Sequence, residues 1–304
     1  MSDPQTAPAR CGFVALVGAP NAGKSTLLNS LVGAKVSIVT RKVQTTRARL
    51  RGIVVRGSSQ LIFVDTPGIF TPKRRLERAM VAAAWMGAQD ADVVALLFDA
   101  ARTVIDSDTQ LILDGLKAQR RRAVLVLNKI DLIKRERLLK LAARFEAQDL
   151  FEHTFMISAL TGDGVPDLLD HVARAMPEGP WLYPEDQLSD LPLRLMAAET
   201  TREKLFRKLH QELPYALTVE TERWQDFEDG SVKIEQIIYV QRGTQKAIVL
   251  GKEGSKIKAI RSESQAELED VLGCKVHLFL FVKVRENWID DPERYREWGL
   301  DFNA

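Results

Sequence analysis

The chain has 304 residues, 45% hydrophobic and 28% charged, which is long enough for two domains with separate cores and too apolar for a disordered chain. A formal net charge of +2 excludes a surface that attracts nucleic acid everywhere, so any such affinity must come from a local patch. Two cysteines far apart, Cys11 and Cys274, exclude a disulfide framework and point to a reducing compartment with inert thiols.

Residues 1–10 read as a flexible polar tail without a signal pattern. No apolar run approaches membrane-spanning length, so a cytoplasmic location is expected. The unbroken apolar run Phe13–Val17 has the composition of a buried parallel strand. It leads into Gly18-Ala19-Pro20-Asn21-Ala22-Gly23-Lys24-Ser25, which completes the G-x-x-x-x-G-K-[ST] phosphate loop, and a helix is predicted over Ser25–Val32. In such a loop, glycines let the backbone wrap a polyphosphate and the helix N-terminus supplies positive potential. Lys24 reaches the outer phosphates and the Ser25 hydroxyl ligates Mg²⁺, with Thr26 following in the same turn.

The polar segment Val43-Gln44-Thr45-Thr46-Arg47 has the composition of a mobile loop. One of its two threonines, Thr46 in preference to Thr45, is expected to complete the Mg²⁺ shell when a third phosphate is present. The strand-like Leu61–Val64 ends in Asp65-Thr66-Pro67-Gly68, where Asp65 can hold the Mg²⁺ shell and the Gly68 amide can sense the terminal phosphate. A second buried-strand run, Ala123–Leu127, ends in Asn128-Lys129-Ile130-Asp131, at a carboxyl end where open α/β sheets bind ligands. A carboxylate at Asp131 accepts both guanine N1–H and the 2-amino proton, Asn128 donates to N7, and the Lys129 stem lies along the ring. Adenine offers Asp131 neither donor. At about 1.5–3 kcal/mol per charged hydrogen bond, discrimination against ATP reaches on the order of a hundredfold or more. Ser158-Ala159-Leu160, after Thr154–Ile157, is placed to brace the base through backbone amides.

A helix over Val165–Ala175 closes this half, assigned to residues 11–176. Residues 177–192, with prolines and a glycine, read as a linker. Residues 193–287 follow the order helix, two strands, two helices, strand. A helix is predicted over Glu199–His210 and strands over Ala216–Trp224 and Ser231–Val240, joined through Asp229-Gly230. Gly251-Lys252-Glu253-Gly254 joins Thr244–Leu250 to a helix whose stripe is Ile257, Ile260, Leu268, Val271 and Leu272. The last strand alternates Val276, Leu278, Leu280, Val282 and Val284. Helix, G-x-x-G, helix within a small sheet is the layout of a K-homology RNA-binding domain. Arg242, Lys246, Lys252, Lys256, Lys258 and Arg261 surround that loop against the single acid Glu253, a local charge suited to RNA phosphates. Residues 288–304 form a C-terminal extension. The four histidines lack metal-ligand spacing and no nucleophile motif is present.

The five motifs, in order, resemble a translation-factor-type GTPase domain over Gly12 to Ala175. Pro20-Asn21, Gln44-Thr45-Thr46-Arg47, the C-terminal K-homology layout and Val284-Arg285-Glu286-Asn287-Trp288 narrow the resemblance to the bacterial ribosome-assembly GTPase family Era. The fold class expected is therefore an α/β P-loop GTPase with a mostly parallel, doubly wound sheet, followed by an α+β type II K-homology domain. The resemblance implies a GTP-driven factor, not a DNA binder, that binds the 3′ region of 16S rRNA, assists assembly of the 30S subunit, and associates peripherally with the inner membrane. A tRNA-modification-type GTPase, or another assembly GTPase with a different RNA target, is the alternative. Lys24 and Thr46 are the catalytic candidates for in-line attack of water. Ile69 and Phe70 stand where related enzymes carry a water-orienting Gln, so slow intrinsic turnover is expected. Related GTPases use an Asn at the Asn21 position to hold K⁺; here Asn21 either does so or only shapes the loop.

Overall fold

A computed structural model describes residues 8–40, 42, 45–47, 49–102, 104–210 and 213–304. The tail residues 1–7, with Val43 and Gln44 of the polar loop, lie outside the described residues. The chain divides into two units: Met1–Ser37, Thr46–Asp190 and Glu293–Ala304 form the first, Ile38–Thr45 and Leu191–Pro292 the second.

In the first unit, β1 (Arg10–Val17), β2 (Leu50–Arg56), β3 (Ser59–Asp65), β4 (Val93–Asp99), β5 (Ala123–Asn128) and β6 (Phe151–Ile157) form one sheet in the order β2-β3-β1-β4-β5-β6. Only β2 runs antiparallel to its neighbour. The central strands are apolar throughout because both faces are covered. Ala15, Val17, Leu96, Phe98, Leu125 and Leu127 face α2 (Arg75–Asp90), α3 (Ser107–Ala118) and α4 (Arg135–Glu146), which contribute Ala84, Ala88, Ile112, Leu116, Leu138 and Phe145 to that core. The other face carries α1 (Lys24–Val32) and α5 (Val165–Ala175). There Gly52 of β2 leaves room for the side chain of Leu28 of α1, whose Cδ1 would lie 2.5 Å from a Cβ at that position. Residues 177–189 do not hang as a spacer. Gln60 of β3 accepts the Leu182 and Tyr183 amides at 2.9 and 3.0 Å, and Glu178 and Ser189 bridge to Arg10 and Gly52.

The second unit runs α6 (Leu193–Lys208), β7 (Leu217–Asp226), β8 (Val232–Val240), α7 (Gly243–Leu250), α8 (Ser255–Leu272) and β9 (Val276–Val284). Its sheet has the order β7-β8-β9, with β7 antiparallel and β9 parallel to β8. Helix α6 begins six residues before the predicted Glu199, directly after Pro192, whose fixed φ suits a helix start. Its apolar period is hidden because Arg202, Glu203 and Lys204 are buried along with Leu205 and Phe206. Ile260 and Leu268 of α8 reach the core, whereas Val271 and Val284, expected on buried faces, are 43% and 45% exposed. Cys11 and Cys274 are both half-buried, one in each unit. Among the described residues no helix is long and apolar enough to cross a membrane. The chain after β9 places Trp288 in the second unit, with its indole N–H donating to the Ala216 carbonyl at 3.2 Å, while α9 (Pro292–Glu297) and the residues beyond it count with the first unit from Glu293.

Candidate functional site

The phosphate loop links β1 to α1 at the carboxyl edge of the sheet. Two of its glycines are demanded by neighbouring chain: a Cβ at Gly18 would lie 2.5 Å from the Leu97 carbonyl of β4, and one at Gly23, where φ is +99°, would run into the Asn128 amide of β5. Asn21 also has a left-handed φ of +64°, a conformation Asn tolerates better than most residues. Lys24 is 7% exposed, and its ammonium donates to the Gly18 and Ala19 carbonyls at 3.0 and 3.3 Å, curled into the loop it is expected to serve. Burial lowers its pKa to about 8, against an opposing pull from the Asp65 carboxylate.

Ser25, Thr46 and Asp65 converge. Asp65 Oδ2 accepts from the hydroxyls of Ser25 at 2.7 Å and Thr46 at 3.3 Å, and the two hydroxyl oxygens are 3.1 Å apart. Ser37, which sequence reasoning missed, donates to the same oxygen at 3.0 Å. Its backbone is fixed by Asn29 of α1, whose amide oxygen accepts the Val36 and Ser37 N–H groups at 2.9 and 2.8 Å. Burial raises the Asp65 pKa, opposed by Lys24 and the three hydroxyls. Asp65 Oδ1 is buried with no hydrogen-bond partner among the described residues. An orphaned carboxylate oxygen flanked by two hydroxyls has the hard oxygen chemistry that Mg²⁺ selects. Thr45 behaves differently: its hydroxyl donates to the Lys42 carbonyl at 2.7 Å and lies 2.6 Å from that of Thr40, all within the second unit.

Asn128 acts as a rivet. Its amide donates to the Ala22 carbonyl at 2.9 Å, and its oxygen accepts the amides of Lys129 at 2.8 Å and Ala159 at 2.9 Å. Three segments of the expected base pocket are thereby joined through one side chain. Lys129, with φ +68°, sends its ammonium to the Asn21 carbonyl at 2.8 Å and to Asp99 at 2.6 Å. Asp99 terminates β4, pairs in register with Asn128, and carries no motif that would single it out. Asp131 sits exposed in the short 3₁₀ turn Ile130–Leu132.

Other candidates are placed less directly. The Thr66 hydroxyl donates to the Leu16 carbonyl at 2.8 Å, so its side chain braces β1 and turns away from the loop. The Ala159 amide, expected to face the base, is spent on Asn128, and the Ser158 hydroxyl accepts the Thr161 amide at 3.2 Å; Leu160 is 80% exposed. Pro67 is buried, and Gly68 packs closely on the phosphate loop, a Cβ there lying 3.0 Å from the Pro20 nitrogen. Ile69 donates its amide to the Gly18 carbonyl at 3.2 Å and is fully buried.

In the second unit, the loop between α7 and α8 contains three left-handed residues: Gly251 at φ +73°, Glu253 at +52° and Gly254 at +74°. Gly251 is constrained further, since a Cβ would meet the Lys256 Cβ at 2.7 Å, whereas Gly254 faces nearly open space. Lys252 and Lys258 are exposed and Lys256 is half-buried, with Arg242, Arg261 and Lys246 nearby in sequence. None of these six cations has an ion-pair partner among the described residues, although α8 carries Glu263 and Glu267, which pair with Lys208 and Lys204 of α6. Two of the four acids of α8 are thus drawn to α6, and the loop end of α8 is basic.

Residues 13–129 match the model of a 50S ribosome-binding GTPase family, and residues 212–289 match the KH domain. The chain is 63% identical to the GTPase Era of Rhizobium meliloti (strain 1021) over 97% of its own length and 94% of that protein. It is similar to two crystal structures. One is an Aquifex aeolicus Era variant bound to GDP·AlF₄⁻, with TM-score 0.89, 36% identity and coverage of 95% of this chain and 99% of the other. The second is Era in complex with MgGDPNP and nucleotides 1506–1542 of 16S ribosomal RNA, with TM-score 0.90, 37% identity and coverage of 96% and 99%.

Proposed function

The chain belongs to the Era family of GTPases, and on that premise we propose that it is a GTP-gated factor whose first unit binds and hydrolyses GTP while its second unit binds the 3′ region of 16S rRNA during 30S subunit assembly. The observation that carries the nucleotide half is the convergence of Ser25, Thr46 and Asp65 beside the buried Lys24, with Asn128 tying the phosphate loop to the base pocket. The loop amides from Gly18 to Thr26 and the Lys24 ammonium cradle the outer phosphates. Asp131 reads guanine, Lys129 flanks the ring, and Asn128 donates to the base or holds the pocket together. Ser25, Asp65 and Thr46 would hold Mg²⁺, which when bound neutralises charge developing on the transferred phosphoryl group. Thr46 suits this role better than Thr45, whose hydroxyl is engaged elsewhere.

Hydrolysis then depends on positioning. Gly68 and Thr46 place their backbone groups against the terminal phosphate, and the buried Ile69 and the apolar Phe70 cannot orient water. Turnover is slow until RNA, another partner, or K⁺ held near Asn21 supplies the missing element. The loop Gly251–Gly254, with the exposed Lys252 and Lys258 and the half-buried Lys256 in or just after it, suits a single-stranded RNA backbone. We place this activity in the cytoplasm; peripheral contact with the inner membrane is what the family resemblance implies.

The test is a paired titration of the full chain. Fluorescent GDP and GDPNP, and a labelled 16S 3′ fragment in the presence of each, are expected to bind, with tighter RNA binding in GDPNP. Equal RNA affinity in both nucleotides would remove the gate.

A further inference from the structure

The last twelve residues, Glu293–Ala304, belong to the first unit together with Thr46–Asp190. They are held by an aromatic cluster: Tyr295 is fully buried, its ring centre 6.1 Å from that of Trp298 and 5.0 Å from that of Phe302. The turn beyond α9 is closed at Gly299, with φ +65°, by the Leu300 amide donating to the Tyr295 carbonyl at 2.7 Å. This cluster touches the two segments that flank the phosphate site. Arg47, next to Thr46 and 3% exposed, places its guanidinium 5.9 Å from the Trp298 ring centre. Arg75, at the first turn of α2 beyond the Asp65–Gly68 segment, lies 4.6 Å from the Phe302 ring centre, and Arg78 Nε donates to the Ala304 carbonyl at 3.4 Å.

We propose that residues 293–304 form a latch that positions the two segments flanking the phosphate site, Trp298 acting through Arg47 on Thr46 and Phe302 acting through Arg75 on the segment leading into α2. The latched arrangement is the one in which the Thr46 hydroxyl stands 3.1 Å from Ser25 and 3.3 Å from Asp65, the geometry a third phosphate and its metal require. GDP has no third phosphate and draws little on either segment. A latch of this kind therefore favours GTP over GDP, whereas a merely structural tail would support both equally. The inference rests on the proposed nucleotide site.

The experiment compares Trp298→Ala, Phe302→Ala and the conservative Trp298→Phe in the full chain. Two arms are read: GDPNP and GDP affinity in Mg²⁺, and hydrogen exchange of residues 45–47 without nucleotide. Loss of a cation–π contact to a buried guanidinium predicts a fall in GDPNP affinity on the order of tenfold for Trp298→Ala, with GDP affinity within about twofold. Exchange at residues 45–47 should rise while that of β1 stays constant, and Trp298→Phe should restore most of both. Phe302 is only half-buried, so its variant serves if Trp298→Ala does not fold. An unchanged ratio of GDPNP to GDP affinity in a folded Trp298→Ala or Phe302→Ala protein overturns the latch. Failure of the unaltered chain to bind either nucleotide would instead overturn the nucleotide site itself.

Discussion

The molecule has two glycine-bearing loops that each open a helix, Gly18–Gly23 before α1 and Gly251–Gly254 before α8, and they hold their glycines and lysines in opposite ways. In the first, the glycines are forced by packing: Leu97 and Asn128 occupy the space a Cβ would need, and the lysine is buried enough to lower its pKa to about 8. In the second, Gly254 faces open space, and Lys252 and Lys258 stand in solvent. The first loop is pre-organised for one ligand geometry and holds its charge at a desolvation cost. The second keeps its charge hydrated and commits little before the ligand arrives, which suits a flexible RNA backbone.

The largest expected effect lies in the pre-organised site. Asp131→Asn removes the carboxylate charge and sets an NH₂ donor where one of its two acceptor oxygens faced a guanine donor, so GTP affinity measured by calorimetry should fall by about a hundredfold or more, and xanthosine nucleotides should gain. Because Asp131 is exposed and outside the Asn128 network, the melting temperature should hardly move. Equal GTP binding by the variant would take Asp131 out of the base pocket.

The second loop should respond to charge and shape separately. Gly254→Asp adds a carboxylate and a Cβ in open space, and RNA affinity should fall roughly tenfold to thirtyfold with GDP affinity retained. Gly251→Ala adds no charge, yet its Cβ meets Lys256 at 2.7 Å in a left-handed backbone, so it should cost about 1–3 kcal/mol of stability in denaturant titration. If both variants lost RNA binding only in proportion to stability, the loop would be a structural turn.

A pH series separates the two lysine environments more gently. Burial holds the Lys24 pKa at about 8 in the folded chain against 10.5 in the unfolded one. Between those values the unfolded state binds more protons, so stability from this group rises with pH and the cost of burying the ammonium is fully present below about 8. Polyphosphate needs the ammonium, so GDP affinity should be level below pH 8 and fall by up to about tenfold per unit above it. Lys24→Gln should bind more weakly and lose that slope. A wild-type slope that persists in the variant would assign it to another group.

Most of the candidate nucleotide site is legible because contiguous motifs end apolar strands, and an unbroken run such as Ala123–Leu127 fits a strand covered on both faces. Ser37 and Asp99 escaped because their roles depend on register and side-chain reach: Asp99 matters only because β4 pairs it with Asn128. The Ala159 amide, expected to brace the base, is spent on the Asn128 side chain, and the hydroxyl of Thr66, beside Asp65 in its motif, on the Leu16 carbonyl of β1. The start of α6 was hidden for a related reason, since buried Arg202, Glu203 and Lys204 break the apolar period that marks a packed helix. The return of residues 293–304 to the first unit leaves no local signal at all beyond their aromatic content.

The smallest effect concerns Asn21, and the backbone sharpens how to measure it. Asn21 combines two properties, a left-handed φ of +64° and a side-chain amide, and its carbonyl already accepts from Lys129 at 2.8 Å. Replacement by Ala would remove the amide and strain the backbone together, so any loss of turnover would be ambiguous. Asn21→Gly keeps the left-handed conformation available and removes only the amide. If the amide holds K⁺ where an arginine would otherwise stabilise the transition state, wild-type GTP turnover should be a few-fold to tenfold faster in K⁺ than in Na⁺, and Asn21→Gly should run at the Na⁺ rate in both salts. If Asn21 only shapes the loop, the glycine variant should keep the wild-type response to the two salts, because the shape is preserved and the Lys129 contact is made by a carbonyl that glycine retains.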